Sequence, residues 1–90
     1  MDVYEAIRQM RIKSEKGETF SFAFMSYSYE RGKSDGVVKV ENARLRKQST
    51  KEKNRFADYM LNYTDLDTMD YGSCWQMLLL EFNGNELELN

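Results

Sequence analysis

Residues 19–30, TFSFAFMSYSYE, decide how this chain folds. From Phe20 every second position is apolar through Phe22 and Phe24; the phase then moves by one and continues as Met25, Tyr27 and Tyr29. Such alternation predicts a β-strand, because successive strand side chains leave opposite faces. A one-residue shift exchanges the faces, so the strand is expected to bury one side over its first half and the other over its second. The next six residues, RGKSDG at 31–36, combine two glycines with Ser34 and Asp35 and predict a turn. The returning run VVKVENARLRKQ, 37–48, breaks phase in the same way: Val38 and Val40 share one face, Ala43 and Leu45 the other. With Glu30 set opposite Val37, paired positions sum to 67 and the two breaks lie at one level of the ladder. The expectation is a long hairpin, either bulged or twisted so that its base and tip pack on different layers.

Upstream, residues 2–16 predict a helix. Asp2 with Glu5 resembles a capping box, Val3, Ala6, Ile7 and Met10 form one apolar stripe, and Gly17 suits a stop. Downstream, QSTKEKNR at 48–55 has no apolar period and predicts an exposed loop. The stretch 58–64 is compatible with helix or strand; Tyr63 and Thr64 favour strand. DLDTMDYGS, 65–73, predicts a turn, and CWQMLLLEF, 74–82, apolar on both sides, predicts a central strand. Asn83-Gly84 is a strong two-residue hairpin signal, returning as a short strand over 86–89. The fold class expected is α+β, a single domain over 1–90 with the N-terminal helix packed on a curved antiparallel meander of four to five strands. Phe20, Phe22 and Trp75 are the expected ring core.

At 90 residues, 41% hydrophobic and 31% charged, the composition is that of a globular domain with one modest core. No run of about 18 apolar residues predicts a membrane span, and MDVYEAIRQMR lacks the basic-then-apolar pattern of an export signal. With a single cysteine, Cys74, no internal disulfide is required, and a cytoplasmic location is expected. The net charge of −2 conceals a division: residues 1–55 carry 13 bases against 8 acids, net +5, whereas 56–90 carry 7 acids and no base, net −7.

Histidine is absent, which removes histidine-based triads and the commonest general base. Cys74, in an apolar run without a histidine partner, reads as a core thiol. Asp65, Asp67 and Asp70 beside Gly72 suggest a calcium loop, but an EF-hand count from Asp65 puts Met69, Asp70 and Gln76 at positions 5, 6 and 12. The acidic turn therefore reads as solvated, or as the seat of an adventitious cation or a docking point for a basic partner. Arg44, Arg46, Lys47, Lys51, Lys53 and Arg55 form a basic segment opposed only by Glu52. Such a cluster suits phosphate, with Tyr27, Tyr29 and Phe56 near enough in sequence pattern to stack on bases. A pI of about 5.1 and the lack of an RNP-type motif weigh against nucleic acid. Nine rings in Phe20, Phe22, Phe24, Tyr27, Tyr29, Tyr59, Tyr63, Tyr71 and Trp75 exceed what so small an interior hides, and tyrosine and tryptophan are enriched at protein interfaces.

The stretches VYEAIRQMR, FSFAFMSY, DGVVKVENARLR and CWQMLLLEFNG make the chain resemble small proteins encoded by phages and integrated mobile elements of gut bacteria. The resemblance implies a bacterial host cell or virion setting, in which such proteins serve as virion or assembly components or act on the host by binding. It supplies no catalytic or binding residue. The resulting expectation is a non-enzymatic protein-interaction protein without cofactor, metal or small-molecule substrate, with the basic segment of one copy meeting the acidic turn of another. The alternative is a small nucleic-acid-binding or regulatory module built on 44–55.

Overall fold

A computed structural model describes residues 1–88. The order is α1 (Val3–Glu15), β1 (Phe20–Ser28), β2 (Lys33–Leu45), β3 (Met60–Asp65), β4 (Asp70–Trp75), β5 (Leu79–Phe82) and β6 (Asn85–Glu86), with short 3-10 turns at Ala57–Tyr59 and Gln76–Leu78. The strands form one open antiparallel sheet of order β4-β3-β2-β1-β5-β6. The α+β class is as expected, with one more strand than the four or five foreseen.

Local chemistry sets the helix ends. The Asp2 carboxylate accepts the Glu5 N–H at 2.7 Å. Gly17, at φ +78°, closes the far end as Gly17 N–H donates to Ser14 O and Glu18 N–H to Lys13 O, the paired bonds of a Schellman cap. The reciprocal half of the capping box is not formed. Glu5 instead accepts hydrogen bonds from Arg8 and then Gln9, which hold its carboxyl down to about 2.

The β1–β2 register differs from the expected one. Phe22 pairs with Val40, Phe24 with Val38 and Ser26 with Gly36, so paired positions sum to 62. The turn is Tyr29–Gly32, with Gly32 at φ +63°, and Ser34–Gly36 belong to β2. Between Phe20/Ala43 and Phe22/Val40, β2 carries one extra residue. This bulge absorbs the phase break: Val38, Val40, Ala43 and Leu45 all pack on the same core. The inner face therefore does not change sides midway. In β1 it is Phe20, Phe22 and Phe24 that enter the core, while Tyr27 and Tyr29 remain 42% and 56% exposed.

The run 74–82 is not one central strand. It holds the end of edge strand β4, a 3-10 turn and β5, which pairs with β1. Sequence reading also placed 70–73 in a turn; they lie in β4, and the turn is only 66–69. From β4 to β5 the sheet order crosses four spacings, roughly 19 Å if flat, whereas Trp75 to Leu79 spans at most about 14 Å of extended chain. The sheet must curl to be connected this way. Its concave side holds the core, with Val3, Ala6, Ile7 and Met10 of α1 packed among Phe20, Phe22, Phe24, Leu61, Tyr63, Leu79 and Phe82. Each such large apolar side chain contributes roughly 1.5–3 kcal/mol on burial. Asn83 and Gly84 at φ 49° and 82° form the expected two-residue turn. Leu87 packs against the core; Leu89, placed in the returning strand from sequence, lies outside the described residues. Among the described residues no helix is long and apolar enough to cross a membrane.

Candidate functional site

The curl brings three separate segments together. Tyr27–Glu30 from the end of β1 and the turn after it, Lys53–Phe56 from the loop before β3, and Met60 with Trp75 from β3 and β4 line a groove of about 470 Å³. At its floor Phe56 bridges two rings, with centroids 4.7 Å from Tyr29 and 5.2 Å from Trp75. The Arg55 guanidinium lies 4.8 Å over Phe56 and 5.5 Å over Tyr29, within the range where cation and ring quadrupole attract. Trp75 Nε1 donates to Tyr27 O at 3.1 Å, tying β4 to the end of β1.

The loop carrying Arg55 and Phe56 is held by side-chain amides. Gln48 Nε2 donates to the carbonyls of Ala57 and Met60. Gln76 Nε2 donates to Asp58 O and Met60 O, and the Asn54 carboxamide accepts the Phe56 N–H at 3.0 Å. The rings are thus presented by a fixed backbone, which lowers the entropy lost on binding.

Of the residues singled out by sequence, Tyr27, Tyr29, Lys53 and Arg55 converge on this groove. The other basic residues do not. Arg44 Nη2 donates to Gly17 O at 2.8 Å, clasping β2 to the end of α1. Arg46 lies 4.0 Å over the Tyr71 ring. Lys51 pairs with Asp58 at 2.8 Å, a hydrogen bond that raises the ammonium's pKa, and Lys47 stands exposed beyond β2.

The acidic residues gather elsewhere. Asp65 accepts the Asp67 N–H, Asp67 accepts from Asn42 Nδ2 at 3.0 Å, and Asp70 pairs with Asp65 across the β3–β4 turn. That turn and the groove stand at opposite ends of the β3–β4 hairpin, about 17 Å apart along the strand. The charge division of the sequence is only partly carried into space: Arg44 pairs with Thr64 and Arg46 covers Tyr71 near the acidic turn, while Glu30 lines the groove.

Trp75 was expected in the core and is half-buried in the groove instead. An apolar run gave no sign that a strand ends within it. Phe56, which the sequence offers only as a ring to stack on bases beside the basic segment, is the residue that joins Tyr29 to Trp75. Cys74, in contrast, is buried as expected, its thiol pushed up to about 12 by burial.

No protein-family model, curated protein or solved structure matches this chain.

Proposed function

We propose that this chain is a non-enzymatic protein-interaction protein whose binding surface is the groove of Tyr29, Phe56 and Trp75. The observation that carries this reading is the accessible ring cluster itself, capped by Arg55 and fixed by the Gln48 and Gln76 bonds. Tyrosine, tryptophan and arginine in a preformed hollow are the ingredients of interface hot spots, and about 470 Å³ suits a few side chains of a partner. With the resemblance to small phage and mobile-element proteins, the reading extends to a structural or assembly factor acting in a bacterial cytoplasm or virion.

A photo-reactive phenylalanine analogue at position 29, introduced in the producing bacterium, tests it. A discrete protein adduct lost on Arg55→Glu is the expected result. Nucleic-acid adducts alone, or none, would refute it.

Rings beside Lys53 and Arg55 also favour a second reading, single-strand binding. Against it, neighbouring rings are tilted by 53° and 59° rather than stacked in parallel, and Arg55 covers two of them. Trp75 quenching by an oligonucleotide that weakens log-linearly with salt would establish this alternative.

A further inference from the structure

Resting on that reading of the groove as a protein site, we propose that its occupant is the Met69 turn of a second copy of this chain, so that molecules associate head to tail. Met69, 67% exposed, is the last residue of the β3–β4 turn, next to Asp70 where β4 begins. It adopts φ +61°, a left-handed conformation uncommon outside glycine and asparagine, which ends the tight turn and leaves its apolar side chain in solvent. Asp70 follows it and Asp67 precedes it by two residues, while Asp65 pairs with Asp70 at the base of the turn.

The groove is the complement of this knob. Its floor is aromatic, and thioethers pack favourably against rings. Its rim carries Lys53 and Arg55 against the single acid Glu30. Further along the loop Lys51 and Asp58 neutralise each other, and Glu52 stands exposed outside the groove lining. Three carboxylates entering beside two cations gives electrostatic complementarity that sets register and partner choice.

Geometry excludes self-filling. Knob and groove occupy opposite ends of one rigid hairpin, so a molecule cannot place its own Met69 in its own groove. The contact joins unlike surfaces, and unlike surfaces generate rings or open chains rather than requiring a two-fold pair. A turn tip in a groove is a small interface, of the weak class, so association is expected at concentrations on the order of 100 µM.

Sedimentation of the full chain across concentration tests this, with emission from its one tryptophan, Trp75, followed in parallel. Weight-average mass should rise above that of the 10.7 kDa monomer and Trp75 emission should shift with it, both diminished by salt. Met69→Asn removes the apolar tip while favouring the left-handed backbone, and Arg55→Glu reverses the rim; each should hold the protein monomeric. Mixed one to one, the two variants retain one intact knob and one intact groove per pair, so dimers and nothing larger should form. A wild-type chain that stays monomeric, or association indifferent to Met69→Asn, overturns the proposal. The cross-link at position 29 separates the two failures. An adduct with a different protein overturns self-association and leaves the groove a protein site; an adduct with nucleic acid alone, or none, overturns both.

Discussion

Gly72 pairs with Tyr63 across β3 and β4, and its backbone is not at positive φ. Its hydrogen side chain is required by a neighbour rather than by conformation. A β-carbon at residue 72 would lie 2.5 Å from both Cζ and Oη of Tyr63, about 0.9 Å inside ordinary contact at 3.4 Å. The ring cannot retreat freely, because its centroid is 5.1 Å from Phe22 and 5.9 Å from Phe24. Overpacking of this kind costs about 1–3 kcal/mol, and full ejection of the ring about 3–5 kcal/mol. Alanine returns about 0.4–1 kcal/mol by restricting the unfolded chain. Gly72→Ala should therefore destabilise by about 2 kcal/mol. In a urea titration with slope about 1–1.5 kcal/mol/M, the midpoint should fall by roughly 1.5 M with the slope unchanged. On a Tyr63→Leu background, where no ring overlies residue 72, the same change should cost less than about 0.5 kcal/mol. An unshifted midpoint, or an equal cost on both backgrounds, would refute the steric account.

Alkaline stability is set by two buried groups: burial pushes the Cys74 thiol up to about 12, and burial, with Cys74 and Asp65 nearby, raises the Tyr63 phenol. Both retain protons that the unfolded chain releases, so stability is complete below about pH 9 and falls as pH rises beyond it, by up to about 1.4 kcal/mol per unit for each group; Cys74→Ala should flatten the slope between pH 9 and 10 in pH-dependent melting. Asp2→Ala removes the Glu5 N–H acceptor and should cost about 1 kcal/mol, a fall of roughly 4–8 °C in Tm. Gln48→Ala strips a donor from the carbonyls of Ala57 and Met60; hydrogen exchange across 49–59 should accelerate and Trp75 emission move to the red. By contrast Lys51→Ala, losing an exposed pair with Asp58, should change the unfolding free energy measured in urea by less than about 0.5 kcal/mol.

What the sequence revealed depended on the range of the determinants. The helix, its Asp2 cap, the Gly17 stop and the Asn83-Gly84 turn are encoded within a few residues, and each stands where its chemistry placed it. The hairpin register was displaced by five in the pair sum because Ser34, Asp35 and Gly36 have turn chemistry yet serve a strand. Gly36, at φ +96°, supports a second irregularity in β2, where Asp35 N–H donates to Ser26 Oγ. Of the two remedies the phase breaks suggest, the bulge is the one β2 uses: one inserted residue restores the inner face that a regular ladder would lose, whereas beyond Phe24 the rings of Tyr27 and Tyr29 stay outside the core. Trp75 was misplaced because burial contributed by two strands on opposite flanks of the sheet reads, in one dimension, as one continuous apolar segment. Half the candidate site was visible as Tyr27, Tyr29, Lys53 and Arg55, but nothing local joins residues 27–30 to 53–56 and 75. The curl that does so follows from a short connection between distant strands.

That same connection orders events during synthesis. β1 finds β2 at once across four turn residues, yet its other flank stays bare until Leu79–Phe82 arrive some sixty positions later: Phe22 meets Phe82. Contacts of such sequence separation are slow to form, and an uncovered ring-rich flank is a template for pairing with a stranger. A nascent chain halted before Leu79 thus presents its most adhesive ribbon to the cell, and Leu79–Phe82 act as its seal.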